Sequence, residues 1–165
     1  MLLAVDTSTQ WVGLALYDGI QVFGELTWQT QAHHTVEMAP AIQDLLTRCG
    51  LRPDGLKALG VALGPGSFTS LRIGLALVKG LSLSLHLPVM GIPSLDILSA
   101  AQPVADIPLL ALLQAGRGRL AVGQYRPVRG RWKSQDEAFL MTLDQLVDFI
   151  GDQGMLVCGE LVQTV

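Results

Sequence analysis

Apolar and polar positions along the chain alternate with two different periods, and their order predicts a series of strands and helices. Leu2–Val5 is a short apolar run ending at Asp6. Val12–Tyr17 and Gln21–Trp28 read as two more strands, joined by Asp18-Gly19, a pair that favours a tight hairpin turn. From Thr35 to Cys49 the period lengthens, placing Val36, Ala39, Ile42, Leu45, Leu46 and Cys49 on one face of a helix. Gly50 suits the left-handed residue after that helix, and Pro40 inside it is expected to bend it or shift its start. Leu59–Leu63 is a fourth strand, Gly64-Pro65-Gly66 a tight loop, and Ser67 the N-cap of a long helix running to Leu87. Val89–Gly91 is a short strand, and Pro93-Ser94 opens a helix over Leu95–Ala101.

The order then repeats. Leu109–Gln114 and Arg119–Arg126 are strands, and Arg131–Leu140 contains a third. Thr142 and Gln145 form a capping box opening the helix Leu143–Ile150, and Met155–Cys158 is a further strand. Each half runs strand-strand-strand-helix-strand, which divides the chain into a first lobe, 1–102, and a second, 103–165. The first half adds a long helix after its fourth strand; the second half has no such helix. A sheet without its covering helix exposes an apolar face that something must bury.

Composition narrows the class. Of 165 residues, half are hydrophobic and 15% charged, enough to bury a core and too apolar for disorder. The net charge of −3 argues against a general nucleic-acid binder. The charge is uneven, however: Arg117 to Lys133 holds six basic residues and no acidic one, and Ser134 to Val165 holds six acidic residues and no basic one. The plain reading is a solvated hairpin face followed by an acidic helix; the alternative is a patch that contacts phosphate. Cys49 and Cys158 match no metal spacing and read as reduced core residues of a cytosolic protein. The start of the chain has no basic region before its short apolar run, unlike a signal peptide. Leu71–Leu87, interrupted by Lys79, Ser82, Ser84 and His86, reads as a buried helix rather than a membrane span.

Three segments could carry chemistry. Asp6-Thr7-Ser8-Thr9 places a carboxylate and hydroxyls at a strand end, where they could hold a metal–phosphate or simply close a turn on their own backbone. Gly64-Pro65-Gly66-Ser67 leads into a helix N-terminus, a natural anion site. It fails the dinucleotide fingerprint at Thr69 and lacks the Gly-Lys-Ser/Thr of a phosphate loop, so a tight strand-to-helix connection is the preferred reading. His33 and Glu37 would share a helix face and could bind a metal, but His33 precedes the expected helix and reads as a cap or surface residue. His86 stands at a helix end, where a cation suits the dipole. No Ser/His/Asp or Cys/His set can be assembled.

Taken together, Leu3-Ala4-Val5-Asp6-Thr7-Ser8-Thr9, the His34-Thr35 helix start, the string Gly64-Pro65-Gly66-Ser67-Phe68-Thr69-Ser70-Leu71-Arg72-Ile73-Gly74 and Gly91-Ile92-Pro93-Ser94-Leu95 resemble the TsaB (YeaZ) family in order and spacing. The resemblance covers about the first hundred residues and loosens through Leu112–Tyr125. It implies an α/β actin-like (ribonuclease H-like) fold of two lobes, the second shortened here. It also implies a non-catalytic cytoplasmic subunit that binds its paralogue, the TsaD transferase, as a heterodimer. The complex also uses the ATPase TsaE and makes N6-threonylcarbamoyladenosine on tRNA from threonylcarbamoyl-AMP. On this reading the chain has no intrinsic cofactor, ATP and metal enter only through the complex, tRNA is met indirectly, no membrane is involved, and a homodimer is a further option. Candidate cofactor contacts are Asp6, Thr7, Gly64 and Gly66, and no metal ligand is assigned. The candidate partner surface is Met38, Ile42, Arg72, Gly74, Leu75 and Val78, on the two first-lobe helices.

Three departures stand out. Gln114-Ala115-Gly116-Arg117 replaces the family's usual Asp-Ala-Arg, whereas Glu37, standing where the transferase has its second metal-binding histidine, agrees with what the resemblance implies. The basic stretch Arg117–Lys133 is stronger than the family leads one to expect. The chain also ends earlier than family members, as a fragment, a truncated product or a reduced member would. The competing readings are an actin-like enzyme, either a small-molecule kinase or a metal peptidase, and a self-associating structural protein. A kinase needs an acid on each of two facing loops, and Gln114 denies it the second.

Overall fold

Strands β1 (Leu2–Asp6), β2 (Trp11–Tyr17) and β3 (Val22–Gln29) form the antiparallel meander that their alternation predicts. The hairpin turns at Asp18, whose carboxylate accepts the N–H groups of Ile20 and Gln21 at 2.7 and 2.8 Å. Those donors, Gln21 first, hold the Asp18 carboxyl below its ordinary range. The computed structural model describes residues 1–30 and 34–160. It divides into two units, Met1–Ile92 and Pro93–Val165.

In the first unit, helix α1 (His34–Arg48) follows the meander, and β4 (Ala58–Gly64) then runs parallel to β1. Helix α2 (Phe68–Leu85) and β5 (Val89–Pro93) complete it, with strand order β3-β2-β1-β4-β5. Leu3, Val5, Val12, Leu14, Leu16, Leu59 and Val61 point to one face, and both helices pack there. Pro40 lies within α1 without ending it. Gly50 takes the expected left-handed conformation, φ 66°, after α1. The Leu51 and Gly50 N–H groups donate to the Leu46 and Thr47 carbonyls, a Schellman ending.

The second unit repeats the topology. After helix α3 (Ser94–Ala100), β6 (Leu109–Gln114) pairs antiparallel with β7 (Arg119–Val128). The expected third strand is two pieces, β8 (Arg131–Ser134) and β9 (Phe139–Thr142), which pair with successive stretches of β7. Helix α4 (Leu143–Ile150) then leads to β10 (Leu156–Gly159), parallel to β6 just as β4 is parallel to β1. The Thr142–Gln145 capping box is present in both directions.

Several expectations need correcting. The boundary falls after Ile92 rather than at 102, because α3 packs on β6, β7, β8 and β10 of the second sheet. That placement also covers the face expected to lie open. Leu109, Ala111 and Leu113 pack with Leu95 of α3, while Leu110 and Leu112 pack with Leu146 of α4 on the other side. Apolar residues that stay open include Leu140 on β9, Val157 on β10, and Leu143 and Val147 on α4.

Helix α2 has the length and apolar composition of a membrane span. It is not the buried helix expected, since only Ser70, Gly74 and Val78 along it are buried. It ends at Leu85, with His86 left-handed at φ 54°. His33 of the His33–Glu37 pair lies outside the described residues. Cys49 and Cys158 are free thiols packed beside separate cores, as expected. Burial raises the Cys158 thiol above its ordinary value.

Candidate functional site

The turn after β1 and the loop before α2 lock into each other. The Ser8 N–H donates to the Asp6 carboxylate at 2.8 Å, and the buried Thr7 hydroxyl donates to the Ser70 carbonyl at 2.9 Å. The Ser8 carbonyl in turn accepts the Ser67 N–H at 2.7 Å. Gly66 is required where it stands, because a Cβ there would overlap the Ser8 carbonyl. Gly74 is required for a similar reason: its missing side chain makes room for the Thr7 hydroxyl and methyl. The structure thus brings Asp6, Thr7, Gly64 and Gly66 together, and the turn's polar groups bond one another.

The space between turn and loop holds the Ser8 carbonyl, and in the second unit the residue ending β6, as Asp6 ends β1, is the neutral and exposed Gln114. Among the described residues no three His, Cys, Asp or Glu side chains gather as a metal site.

The predicted partner surface divides in two. Met38, Ile42 and Val78 are between 0% and 5% exposed and belong to the first unit's own core. Gly74 faces Thr7. Those four do not present an outer surface, because the helical periodicity that marked them is the periodicity of the buried face. Arg72 is exposed and Leu75 half-buried. Arg72 belongs to an outward stripe whose other members the sequence reading missed: Phe68, Ala76, Lys79, Gly80 and Leu83. Phe68 is 74% and Leu83 79% exposed. The Arg72 guanidinium lies 5.2 Å from the Phe68 ring centroid. A shallow groove of about 490 Å³ runs along this helix past Thr69, Arg72, Ile73, Leu75, Ala76 and Lys79. The missed signal was spacing: these positions recur three and four apart on the face opposite Gly74 and Val78.

A second hollow, about 550 Å³, lies in the second unit between α3 and the β7–β8 hairpin. Asp96, Gln102, Tyr125 and Trp132 in its lining are already paired, and Arg131 and Lys133 at its rim are exposed. The Tyr125 hydroxyl donates to the Asp96 carboxylate at 2.7 Å, and the Trp132 indole N–H to the Gln102 carbonyl at 3.2 Å. Burial, and then the bond to Asp96, raises the Tyr125 phenol above its ordinary value of 10.

Two units of one topology, each a meander, a helix and a strand parallel to the first, make this an actin-like protein built of ribonuclease H-like units. The solved structure of YeaZ from Pseudomonas aeruginosa superposes with a TM-score of 0.77 at 26% identity, covering 85% of this chain and 66% of that one. The tRNA threonylcarbamoyladenosine biosynthesis protein TsaB of Bacillus subtilis (strain 168) is 36% identical over 129 residues, 78% of this chain and 56% of that protein. The protein of the same name from Escherichia coli (strain K12) is 33% identical over 140 residues, 82% of this chain and 59% of that protein. A family model for TsaD, the tRNA N6-adenosine threonylcarbamoyltransferase, matches residues 27–157. The chain belongs to the TsaB (YeaZ) family, paralogous to that transferase. It spans less than two thirds of the length of these two curated relatives.

Proposed function

We propose that this chain is the non-catalytic partner subunit that binds and activates a TsaD-type transferase in N6-threonylcarbamoyladenosine formation on tRNA. The observation that carries the reading is the outward stripe of α2. An 18-residue apolar helix with Phe68 and Leu83 in water is unusual unless another surface covers it. Ala76 and the open Gly80 let a second helix come close. A paralogue offers a related helix, and related surfaces pair readily about a pseudo-twofold axis. The lack of catalysis is supported by the self-bonded Asp6–Ser8 turn and by Gln114, which leave no pair of acids to position a phosphoryl group. ATP and metal would then enter only through the complex, including its TsaE-type ATPase.

The test is co-purification with the transferase, comparing wild type with Ala76→Arg/Leu83→Arg. Both positions are exposed, so circular dichroism should be unchanged. Affinity for the transferase should fall at least a hundredfold, about 3 kcal/mol. A folded variant that binds as wild type does sinks the interface. Turnover by the isolated chain, abolished by Asp6→Ala, would instead indicate an actin-like enzyme.

A further inference from the structure

The hairpin of β7 and β8 carries charge that the fold does not use. In the ladder, Arg126 stands opposite Lys133, and Val128 opposite Arg131. Side chains at these paired positions point to the same side of the ribbon. Arg126, Arg131 and Lys133 therefore share one face, and all three are exposed. Tyr125, Pro127 and Trp132 occupy the other face, where Tyr125 and Trp132 pack towards α3. Arg129 and Gly130 make the two-residue turn, at φ 51° and φ 75°.

Two features of this arrangement work against stability. Arg126 and Lys133 are like charges directly across a ladder, an unfavourable pairing. Arg129 occupies a left-handed position that Asn, Asp or Gly fills more readily. Nothing nearby compensates: among the described residues the ion pairs are Arg48–Asp44 and Arg52–Asp54, both in the first unit. Asp136 and Glu137 follow β8 directly, yet neither pairs with these four cations. A local sequence choice that opposes the fold, without compensation inside it, points to a use outside it.

We propose that Arg126, Arg129, Arg131 and Lys133 form a contact surface for the phosphate backbone of a structured RNA. Three of the four are guanidinium groups, whose planar forks match phosphate oxygens two at a time. Arg131 and Lys133 also line the hollow between α3 and this hairpin, but charged groups on an exposed hairpin face meet phosphate positions, which fix register rather than read bases. The choice of RNA over another polyanion rests on the function proposed above, and this surface makes the subunit a direct participant in holding tRNA. The simpler explanation is that cations on an edge strand prevent strand-to-strand aggregation. That explains Arg131 and Lys133 on β8, and Arg126, which lies beyond the last pairing of β7 with β6 at Tyr125, but not Arg129 in the turn or the choice to set Arg126 directly opposite Lys133.

The experiment is fluorescence anisotropy with a labelled anticodon stem-loop RNA over a salt series. The full chain is compared with Arg126→Gln/Arg129→Asn/Lys133→Gln, and with Arg48→Gln/Arg52→Gln/Lys57→Gln, three exposed cations of the first unit, as a charge-matched control. Wild-type affinity should fall with salt at a log–log slope of roughly −2 to −4, as expected for three or four phosphate contacts. The triple variant should lose at least tenfold in affinity at low salt and most of the slope, while its melting temperature holds or rises. The control should match wild type. Equal binding by the triple variant, self-association of that variant, or capture of anionic lipid vesicles without RNA binding would each overturn the assignment. Transferase co-purification on the same samples separates the two proposals. Wild type that holds the transferase but not RNA defeats this inference alone; wild type that holds RNA but not the transferase defeats only the function proposed above.

Discussion

The two units share a topology but not a way of burying their sheets. In the first, the pattern is strict alternation: β1 and β2 bury Leu3, Val5, Val12, Leu14 and Leu16 under α1 and α2. The opposite face holds Leu2, Ala4, Asp6, Gly13 and Ala15, none of which is fully buried. In the second, five successive residues of β6, Leu109 to Leu113, are almost wholly buried. The difference is α3. Chain order puts it after the first unit's last strand, but it packs on the second sheet and gives that sheet a helix on each side. The same strand order can thus support a one-sided or a two-sided core, and the burial pattern along the central strand tells them apart.

The sharpest way to break this contrast is to remove equal side chains from the two central strands. Leu112, 0% exposed on β6, packs in a buried cluster with Leu110, Leu120, Val122 and Leu146. Leu112→Ala should cost about 3–4 kcal/mol. Leu2, on the open face of β1, is only partly buried, and Leu2→Ala should cost about 1–2 kcal/mol. Denaturant titration reads both. Equal losses would mean that something covers the first sheet's second face in solution.

Alkaline titration tests the enclosed core in another way. The folded pKa of Tyr125 lies above the ordinary value of 10, so the fold favours the neutral phenol. Its contribution to stability is complete below about pH 10. It declines as pH rises above that value, because the unfolded chain ionises first. Tyr125→Phe should remove this part of the alkaline decline. It should also cost about 1–2 kcal/mol at neutral pH, through loss of the hydrogen bond to Asp96. An unchanged alkaline decline in the variant would show that water reaches Tyr125.

Period and punctuation made most of this fold legible. The first meander, α1 with its Gly50 ending, and the capping box of α4 are each dictated by residues within a few positions of one another. What the sequence concealed depends on distant partners. Leu95 and Leu98 read as the end of the first lobe because nothing local says which sheet they will meet. Arg131–Leu140 is expected to contain one strand, and it holds β8 and the start of β9, separated by Gln135 to Ala138. At the candidate site, the glycines marked the loop before α2 correctly as a tight connection. They could not reveal that Gly74 faces Thr7, because helical spacing gives the angle between side chains and not which angle points inward. For that reason Met38, Ile42 and Val78 were placed on the outer surface although they belong to the core.

The smallest contrast concerns how the two units start a helix. Thr142 is an N-cap in full: its hydroxyl accepts the Gln145 N–H at 3.2 Å, and the Gln145 side chain accepts the Thr142 N–H at 2.9 Å. Ser67 occupies the same position before α2, but its hydroxyl meets the Ser70 hydroxyl at 2.9 Å and caps no backbone N–H. The first unit instead ties this helix start to the turn after β1, through the Ser8 carbonyl and Ser67's own backbone N–H. Replacing the Ser67 side chain leaves that tie intact. Thr142→Ala should therefore cost about 1 kcal/mol, as caps usually do, and Ser67→Ala no more than about 0.5 kcal/mol. Thermal melts of the two variants give the comparison directly. Should Ser67→Ala prove as damaging as Thr142→Ala, the Ser67–Ser70 hydroxyl pair holds the loop as firmly as a cap holds a helix, and the backbone tie is not sufficient by itself.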